Sequence, residues 1–470
     1  MMKKLICIAL AIVISSTGEL KAQANADRPN VVLIIADDLG YGDVGFNGCK
    51  DIPTPNIDRI AKSGVTFLNG YVSFAVCGPS RAGLITGRYQ DRFGFSRNPL
   101  LAPNDINMGL PLSEDTMADV LKRKGYTSTA IGKWHLGTHP ALHPVKRGFD
   151  EFFGFVDGGH HYFPQNWTLN DITQTRTQND GYKTKLLRGT KPVEESEYLT
   201  DALSREAVEF IDRNSKKPFF VYLAYNAPHT PMQASSKYLD RFSAIKNPKR
   251  KTYAAMVSAM DDGIGAVLKQ LKDKGLEENT IVIFLSDNGG PIYDNASNNK
   301  PLRGQKSDFW DGGIKVPFAI QWPAKIKAGT TYQNPIISLD ILATISSYIN
   351  AEIDPKKPLD GVNLLPFITG KNTGAPHEYL FWRNFDKNMI AVRTVNQKIV
   401  IDKNKNQALF NITEDIAEQQ NLINQDKQSF DQLMLQWKAW EKEMMNPVFL
   451  GLLEDKQYSE QNPKRFVFKK

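Results

Sequence analysis

Oxygen-bearing side chains follow two apolar runs of this sequence, at the point where each run ends. Asp37 and Asp38 close the stretch NVVLIIADD, and Asp287 and Asn288 stand in TIVIFLSDNGG. Carboxylate and carbonyl oxygens are the ligands that a hard divalent cation such as Ca2+ or Mg2+ prefers. A pair such as Asp37 and Asp38 after a strand is, on its own, more often a helix cap or a turn than a metal site, whereas the two pairs together predict one metal site.

Cys77 opens the segment CGPSRAGLITGRY, which combines a nucleophilic side chain with a nearby guanidinium. The Gly78-Pro79 turn and the helix-compatible residues from Ser80 predict that Cys77 lies just before a helix N-terminus, where anions are favoured. Arg81, in the first turn, offers a planar fork that suits sulfate or phosphate oxygens. The chain has only three cysteines, which excludes a disulfide scaffold but leaves open a Cys49–Cys77 bridge or two buried thiols.

Further candidate residues carry positive charge or can transfer a proton. Lys133 and His135 are two residues apart in GYTSTAIGKWHLG, so both can project the same way from an extended segment. His229 stands between prolines in NAPHTP, and Lys306 lies in a glycine-flanked loop, LRGQKSDFWDGG. Taken singly, Lys133 and His135 are more often surface residues than catalytic ones, and His229 and Lys306 are each more often without a catalytic role.

The elements that must position these residues alternate between strands and helices. Apolar runs at 30–38, 218–229 and 280–290 predict buried parallel strands. Helices are predicted at 113–124, with Ser113 as the cap, at 197–213 and at 251–274. This alternation predicts an α/β fold with a doubly wound sheet. Ligands bind at the carboxyl ends of the strands in such sheets, where the following residues fall: Asp37, Asp38, His229, Asp287 and Asn288.

Both ends of the chain differ from this pattern. From about residue 375, short alternating segments and a predicted helix at 425–443 indicate a small antiparallel sheet with a helix against it. The start, MMKKLICIALAIVISS, has the basic and apolar regions of a secretory signal peptide. Its apolar run is about half of the roughly 20 residues that a membrane anchor needs. We therefore predict a signal peptide at 1–24, a catalytic domain at 25–370, a C-terminal subdomain at 371–470, and a periplasmic or secreted enzyme that is not held in a membrane.

Composition and charge narrow the function classes. The chain has 470 residues, 41% of them hydrophobic, which suffices for a large core. The formal net charge of +7 suits a polyanionic substrate. No nucleic-acid-binding motif and no interleaved basic and aromatic run occurs in the sequence, so we predict no nucleic-acid partner.

The motifs, in this order, resemble those of the type I sulfatases, the formylglycine-dependent family of the alkaline phosphatase superfamily. CGPSRAGLITG is similar throughout to the first signature of that family, and GYTSTAIGKWHLG looks like the second. Over about residues 28 to 345, further segments match in type and order: RPNVVLIIADDLGYGDVG, TPNIDRIAKSGVTFLNGY, HPVKRGFDEFFGF, APHTP, LSDNGG and LRGQKSDFWDGG. The resemblance implies an alkaline-phosphatase-like α/β fold, with a doubly wound mixed sheet and a smaller C-terminal α+β subdomain.

The resemblance also implies that a maturation enzyme converts Cys77 to formylglycine, an aldehyde that hydrates to a geminal diol. One hydroxyl of the diol attacks the sulfate ester, and the second expels sulfate by collapse to the aldehyde, which divides the reaction into two easier steps. A metal, Ca2+ with Mg2+ as the second choice, is implied together with its ligands: Asp37, Asp38, Cys77, Asp287 and Asn288.

The remaining catalytic roles are likewise implied by the resemblance. Arg81 orients the diol, and Lys133 and Lys306 counter the sulfate charge. His135 matches the base that releases sulfate, and His229, with Lys306, matches the acid that protonates the departing alcohol. The division of that acid role between His229 and Lys306 stays open.

Alternative activities and the identity of the substrate stay open at this stage. Two-zinc phosphatases and phosphodiesterases of the superfamily have a histidine where Asn288 stands, which argues for a single hard cation. A formylglycine-dependent phosphonate or phosphodiester hydrolase and an inactive sulfated-glycan binder are the alternatives. The loop VDGGHHYFPQNWTLND, with His160 and His161, is predicted to bind a sulfated carbohydrate, although such a loop can also merely cover the sheet. The resemblance does not separate galactose-containing marine glycans from glycosaminoglycans or mucins.

Overall fold

The computed structural model describes residues 28–467, and the predicted signal peptide at 1–24 lies outside them. The strands are β1 Asn30–Ala36, β2 Val65–Phe67, β3 Gly70–Tyr71, β4 Thr127–Lys133, β5 Glu151–Phe155, β6 Leu187–Arg188, β7 Lys191–Pro192, β8 Phe219–Ala224, β9 Thr280–Ser286, β10 Phe318–Gln321, β11 Thr330–Tyr332, β12 Ile336–Ile337, β13 Leu380–Asn384, β14 Met389–Arg393, β15 Gln397–Ile401 and β16 Gln407–Asn411.

The α-helices vary from single turns to a helix of 26 residues. They are α1 Pro55–Lys62, α2 Cys77–Thr86, α3 Met117–Arg123, α4 Leu199–Asn214, α5 Ser236–Leu239, α6 Pro248–Asp273, α7 Ile292–Asn295, α8 Asp311–Ile314, α9 Asp340–Tyr348, α10 Leu365–Ile368, α11 Lys427–Glu441 and α12 Asp455–Gln461. Among residues 28–467, no helix combines the length and apolar character needed to cross a membrane.

Ten strands form the central sheet, in the order β11-β2-β10-β9-β1-β8-β4-β5-β6-β7. The middle strands β9, β1, β8, β4 and β5 are parallel to one another. β10 is antiparallel to β9, and β6 and β7 continue the sheet antiparallel at its other edge. The sheet is therefore mixed, as predicted, and the three predicted parallel strands lie side by side at its centre.

Both faces of the sheet are covered, which explains why its strands are continuously apolar. Along β1, Val31 and Leu33 pack into the hydrophobic cluster on one face, together with α3 and α9. Val32 and Ile34 pack into the cluster on the other face, together with α4 and α6. The side-chain period of two in a strand sends alternate residues into these two cores.

The predicted helices are present, but one of them begins later than expected. The helices predicted at 197–213 and 251–274 correspond to α4 and α6. Ser113 does not cap α3, because Thr116 does so through a capping box. The Asp119 N–H donates to Thr116 Oγ1 (3.2 Å), and the Thr116 N–H donates to Asp119 Oδ2 (2.9 Å). Two reciprocal hydrogen bonds satisfy more of the free N–H groups than a serine three residues earlier can.

The small antiparallel sheet predicted near the C-terminus is formed by β13, β14, β15 and β16 in sequence order. α11 lies against it through Phe430 and Trp437. The sheet contacts the rest of the molecule through Trp382, whose ring lies 5.4 Å from that of Tyr71 and whose Nε1 donates to the Val72 carbonyl (2.8 Å). The domain boundary near residue 370 stays a prediction.

Candidate active site

β1 and β9 end side by side, and their carboxyl ends carry the four predicted metal ligands. Ala36 pairs with Ser286 in the register of these strands, so Asp37 and Asp287 leave the sheet together. Asp38 has a φ of +65°, a left-handed conformation that aspartate adopts more readily than most residues. Asn288 Nδ2 donates to Asp38 Oδ1 (2.7 Å), which holds the two strand ends to each other.

The donor atoms at this edge fit a hard divalent cation. One ligand atom each from Asp37, Asp38, Cys77 and Asp287 lies within 4.8 Å of the others, and all four residues are buried. Asn288 Oδ1 is also buried and accepts no hydrogen bond from any residue in 28–467. A buried carbonyl oxygen without a partner is costly unless another group, such as a cation, satisfies it. With residue 77 set aside, every donor is an oxygen, which is the set that Ca2+ and Mg2+ prefer.

Burial and mutual charge act on the carboxylates of this cluster. Burial raises the pKa of Asp287 to about 6, and the charge of Asp37 adds to the rise. Burial acts on Asp37 in the same direction, but Lys133 and the other nearby positive groups outweigh it and hold the pKa of Asp37 well below its usual range. The cluster therefore depends on positive charge to keep its carboxylates ionised.

Cys77 is the first residue of α2 and not the residue before it. Val76 is the N-cap, and all ten residues of the helix are buried. The Cys77 thiol donates to Asp37 Oδ1 (3.4 Å). Burial raises the pKa of this thiol above its usual range, and the charge of Asp287 adds to the rise. The environment thus disfavours a thiolate, the form in which an unmodified cysteine acts as a nucleophile. Cys49 and Cys77 are both free and form no disulfide.

Three cations surround the carboxylate cluster. Arg81, on the second turn of α2, lies 2.8 Å from Asp287 Oδ2 through Nη2, and both side chains are fully buried. Lys133, the last residue of β4, donates from Nζ to Asp37 Oδ2 (2.6 Å). Lys306 Nζ lies 2.7 Å from Asp38 Oδ1 and 3.3 Å from Cys77 Sγ. Residues that are distant in the sequence therefore meet within contact distance of Asp37, Asp38 and Cys77.

The two predicted catalytic histidines differ in how they are held. His229 Nδ1 bonds to the Thr230 carbonyl (2.6 Å), and its Nε2 lies 3.7 Å from Asp38 Oδ2. His135 has a φ of +57°, and neither of its buried ring nitrogens has a hydrogen-bond partner among the described residues. Burial lowers the pKa of His135 well below its usual value, and the charges of Lys133 and Arg81 lower it further. The neutral ring is therefore favoured, with a free lone pair.

The histidine-rich loop after β5 is placed differently from the sequence-based prediction. His160 is fully buried, and its ring nitrogens bond to the carbonyls of His161 (2.9 Å) and Thr184 (2.8 Å). Because both nitrogens are occupied, His160 holds the loop together and is not available to bind a substrate directly. His161 is partly exposed, and its Nδ1 has no partner within residues 28–467. Of the two histidines, His161 alone has a ring nitrogen without a partner among the described residues, and that nitrogen, Nδ1, is itself buried.

Tyr182 lies near this site, although no motif in the sequence indicates it. Its ring contacts Gly159, where an added Cβ would lie 2.5 Å from the Tyr182 hydroxyl. A Cβ added at the adjacent Gly158 would lie 2.7 Å from His135 Nε2, so the glycine pair lies between Tyr182 and His135. Burial raises the pKa of Tyr182, and the charges of Asp157 and Asp37 add to the rise. Tyr182 stands in NDGYKTK, a stretch with no catalytic motif, so no sequence signal was present.

A second group that the sequence did not indicate holds the loop that carries Lys306. Arg303 Nη1 donates to the Glu418 carbonyl (2.9 Å), and the Asp311 N–H donates to Glu418 Oε2 (2.7 Å). Lys398 on β15 completes the group, with Nζ 2.6 Å from Asp311 Oδ1 and 2.7 Å from Glu418 Oε1. Both ends of the 303–311 loop are therefore fixed to the C-terminal sheet and the segment after it.

Comparison with known proteins identifies the family. The sulfatase family model matches residues 29–351, and the model described as N-sulphoglucosamine sulphohydrolase, C-terminal, matches residues 305–444. The chain belongs to the sulfatase family. It is 35% identical to N-acetylgalactosamine-6-sulfatase of Mus musculus over 372 residues, which cover 76% of this chain and 69% of the mouse protein. As a member of this family, the protein is a sulfuric ester hydrolase.

Solved structures confirm the alkaline-phosphatase-like fold. The crystal structure of Ps i-CgsB in complex with k-i-k-neocarrahexaose superposes with a TM-score of 0.86 at 38% identity, and the match covers 94% of this chain and all of that one. The phosphonate monoester hydrolase of Agrobacterium radiobacter shares the fold alone, with a TM-score of 0.63 and 20% identity over 88% of this chain and 96% of its own.

Proposed function

We propose that this sulfatase hydrolyses the sulfate esters of a sulfated carbohydrate, with Cys77 converted to formylglycine and with Ca2+ as the metal. The observation that carries the proposal is the convergence of Asp37, Asp38, Asp287 and residue 77 within 4.8 Å, with Arg81, Lys133 and Lys306 around them. Sulfate transfer at a metal centre requires carboxylates that bind the metal ion and fixed positive groups that bind the sulfate.

The metal would be held by Asp37, Asp38, Asp287, Asn288 and residue 77. When bound, it would supply a positive charge that polarises a sulfate oxygen and lowers the pKa of a coordinated hydroxyl. Residue 77, as formylglycine, would supply the attacking hydroxyl of a hydrated aldehyde and a second hydroxyl for the release of sulfate. The bonds of Arg81 to Asp287 fix its guanidinium beside residue 77, from which it can orient that group.

The lysines and histidines act on the substrate. Lys133 and Lys306 each carry an ammonium already oriented by an aspartate, so both can bind sulfate oxygens without large rearrangement. His135, with two unpaired nitrogens, accepts the proton of the hydroxyl that releases sulfate. His229 is fixed through Nδ1, which leaves Nε2 to protonate the departing sugar oxygen, a role that it shares with Lys306.

A carbohydrate is the substrate class that the relatives favour. The mouse relative bears the name of an N-acetylgalactosamine sulfatase, and the solved structure with 38% identity contains a neocarrahexaose. Sulfated galactose or galactosamine units are therefore the first substrates to test. The basic and apolar N-terminal sequence supports export to the periplasm or the medium, and formylglycine formation requires a maturation enzyme as a partner.

The proposal is tested by mass spectrometry and by activity on the same preparation. Conversion of the Cys77 thiol to the aldehyde lowers the mass of its peptide by about 18 Da, and hydration restores that difference. Co-expression with a maturation enzyme should raise sulfate release from sulfated galactosides in proportion to the converted fraction. A fully active preparation whose Cys77 is entirely alkylatable would disprove the formylglycine mechanism. Faster hydrolysis of a phosphonate monoester than of any sulfate ester would favour the alternative activity.

A further inference from the structure

A cavity of about 220 Å³ lies directly beside residue 77 and is separate from the metal cluster. One wall contains Val76, the residue before Cys77, and Ser307, the residue after Lys306. Asn98 lines the same wall, and its Oδ1 accepts the Gly78 N–H (2.8 Å). Lys306 Nζ lies 3.3 Å from Cys77 Sγ, so Val76 and Ser307 place this wall next to two residues of the proposed catalytic group.

The opposite wall belongs to the C-terminal part of the chain. It consists of the turn between β13 and β14, with Asp386 and Lys387, and of residues 451–454. Arg97 contacts both parts of this wall. Its Nε donates to Asp386 Oδ2 in the turn (2.9 Å), and its Nη1 donates to the carbonyl of Phe449, just before residues 451–454 (2.8 Å). The cavity is therefore a built space between the helix that carries Cys77 and the small sheet. Pockets for drug-sized ligands have volumes of about 300 Å³ or more. This cavity is smaller, and its volume suits one sugar ring.

The ammonium of Lys387 is the one lysine charge that lines this cavity. Lys387 is half-buried, and within the described residues its Nζ has neither a hydrogen bond nor an ion pair. The neighbouring Asp386 is bound to Arg97 instead. Asp308, on the loop that carries Lys306, is a further acid near Lys387, and its Oδ2 accepts the Gln305 N–H (3.1 Å). Because no acid among residues 28–467 is hydrogen-bonded to the Lys387 ammonium, its N–H groups can donate to an anionic ligand.

We propose that this cavity is a subsite for the sugar next to the one that loses sulfate, and that Lys387 binds an anionic group, a sulfate or a carboxylate, on that sugar. This inference rests on the proposed function, since it concerns the same carbohydrate. It makes Lys387 a specificity-determining residue, because a substrate with a second anionic group gains an interaction that a singly charged one lacks. Hydrogen bonds to a charged group contribute enough to change kcat/KM by about tenfold or more.

The experiment compares three matched disaccharides with formylglycine-bearing enzyme. All carry the same scissile sulfate, and the neighbouring sugar carries no charge, a second sulfate or a carboxylate. Sulfate release gives kcat/KM for each, and the ratio of charged to uncharged substrate is the readout. Lys387→Met should lower that ratio about tenfold, mainly through KM, and Lys387→Arg should retain it. Lys371→Met is the control, because Lys371 is exposed and does not line the cavity.

The outcomes separate this inference from the proposed function. A lower ratio for the disulfated substrate alone assigns the subsite to sulfate, and a lower ratio for the carboxylate alone assigns it to a uronate. An unchanged ratio in Lys387→Met, or no preference for either charged substrate in the unsubstituted enzyme, overturns the inference while sulfate release still supports the proposed function. Absence of sulfate release from all three substrates and from para-nitrophenyl sulfate by fully converted enzyme counts against the proposed function itself.

Discussion

The ammonium of Lys398 lies 2.6 Å from Asp311 Oδ1, and both side chains are fully buried. The same ammonium lies 2.7 Å from Glu418 Oε1, so one cation serves two buried carboxylates. Asp311 ends the loop that carries Lys306, whereas Lys398 belongs to the C-terminal sheet. The pairing therefore connects that sheet to a residue assigned to catalysis, and it gives the sheet a positioning role in addition to its packing.

Replacement of Lys398 by methionine should destabilise the protein by about 3–5 kcal/mol, because the change leaves two buried carboxylates without their cation. Urea unfolding at neutral pH measures the loss. Lys427→Met is the matched control, since it removes an exposed ion pair with Asp431 on α11 and should cost less than about 1 kcal/mol. If both variants lose the same small amount, the Lys398 group does not hold the loop.

The pH dependence of the Lys398→Met variant follows from Glu418. Burial raises the pKa of Glu418 from its usual value of 4.5 to about 7, so the folded state binds more protons than the unfolded state between these values. Stability from this carboxyl group therefore falls as pH rises through that window. Without Lys398 the pKa of Glu418 should rise further, because the nearby positive charge is lost. The loss of unfolding free energy in Lys398→Met, relative to the unsubstituted protein, should therefore become smaller on acidification from about pH 8 to about pH 5.5. A deficit that does not vary with pH would contradict this assignment.

The sequence predicted the parts of the site that lie at strand ends and in local motifs. β1, β8 and β9 are buried apolar runs, so their positions in the sequence and their carboxyl ends could be predicted from hydrophobicity, and Asp37 and Asp287 followed from those ends. Lys398 and Glu418 gave no such signal, because a lysine on an alternating strand is ordinarily exposed. Its burial depends on the three-dimensional approach of Asp311. The burial of His160 gave no sequence signal for the same reason, since the Thr184 carbonyl that its ring contacts belongs to a residue 24 positions away.

Metal removal should lower both activity and thermal stability. A chelator should abolish sulfate release, and Ca2+ should restore it together with Tm. A ligand present at 100 times its Kd stabilises the folded state by about 2.7 kcal/mol. Asp287→Asn should reduce the Ca2+-dependent Tm shift, because it removes one anionic ligand, whereas Asp294→Asn, on α7 outside the cluster, should leave the shift unchanged. Two stoichiometric zinc ions in active enzyme would contradict the calcium assignment.

His377 should contribute to stability in a pH-dependent way. Its Nε2 lies 2.8 Å from Asp340 Oδ1. Burial opposes the charged ring, but Asp340 outweighs burial and raises the pKa of His377 above its usual value of 6.5. A histidine whose pKa is higher in the folded state than in the unfolded state stabilises the fold. This stabilisation is complete at pH values below the unfolded-state pKa and is lost as pH rises through the folded-state pKa. The Tm deficit of His377→Gln should therefore be larger at about pH 6 than at about pH 9. An equal deficit at both pH values would mean that His377 acts through packing alone.

Variants of the two active-site histidines should be blocked at different steps of the reaction. His135→Asn is the suitable variant at that position, because asparagine tolerates the φ of +57°. If His135 accepts the proton that allows sulfate to leave, this variant should release about one equivalent of desulfated sugar per active site and then stop.

His229→Ala should lose about 10²–10⁴ in rate on a sugar sulfate, because the alcohol departs without a proton donor. It should lose much less on para-nitrophenyl sulfate, whose phenolate leaves without protonation. Rapid-quench kinetics with both substrates tests the assignment. Equal losses on the two substrates for both variants, with no burst from His135→Asn, would show that the roles are assigned incorrectly.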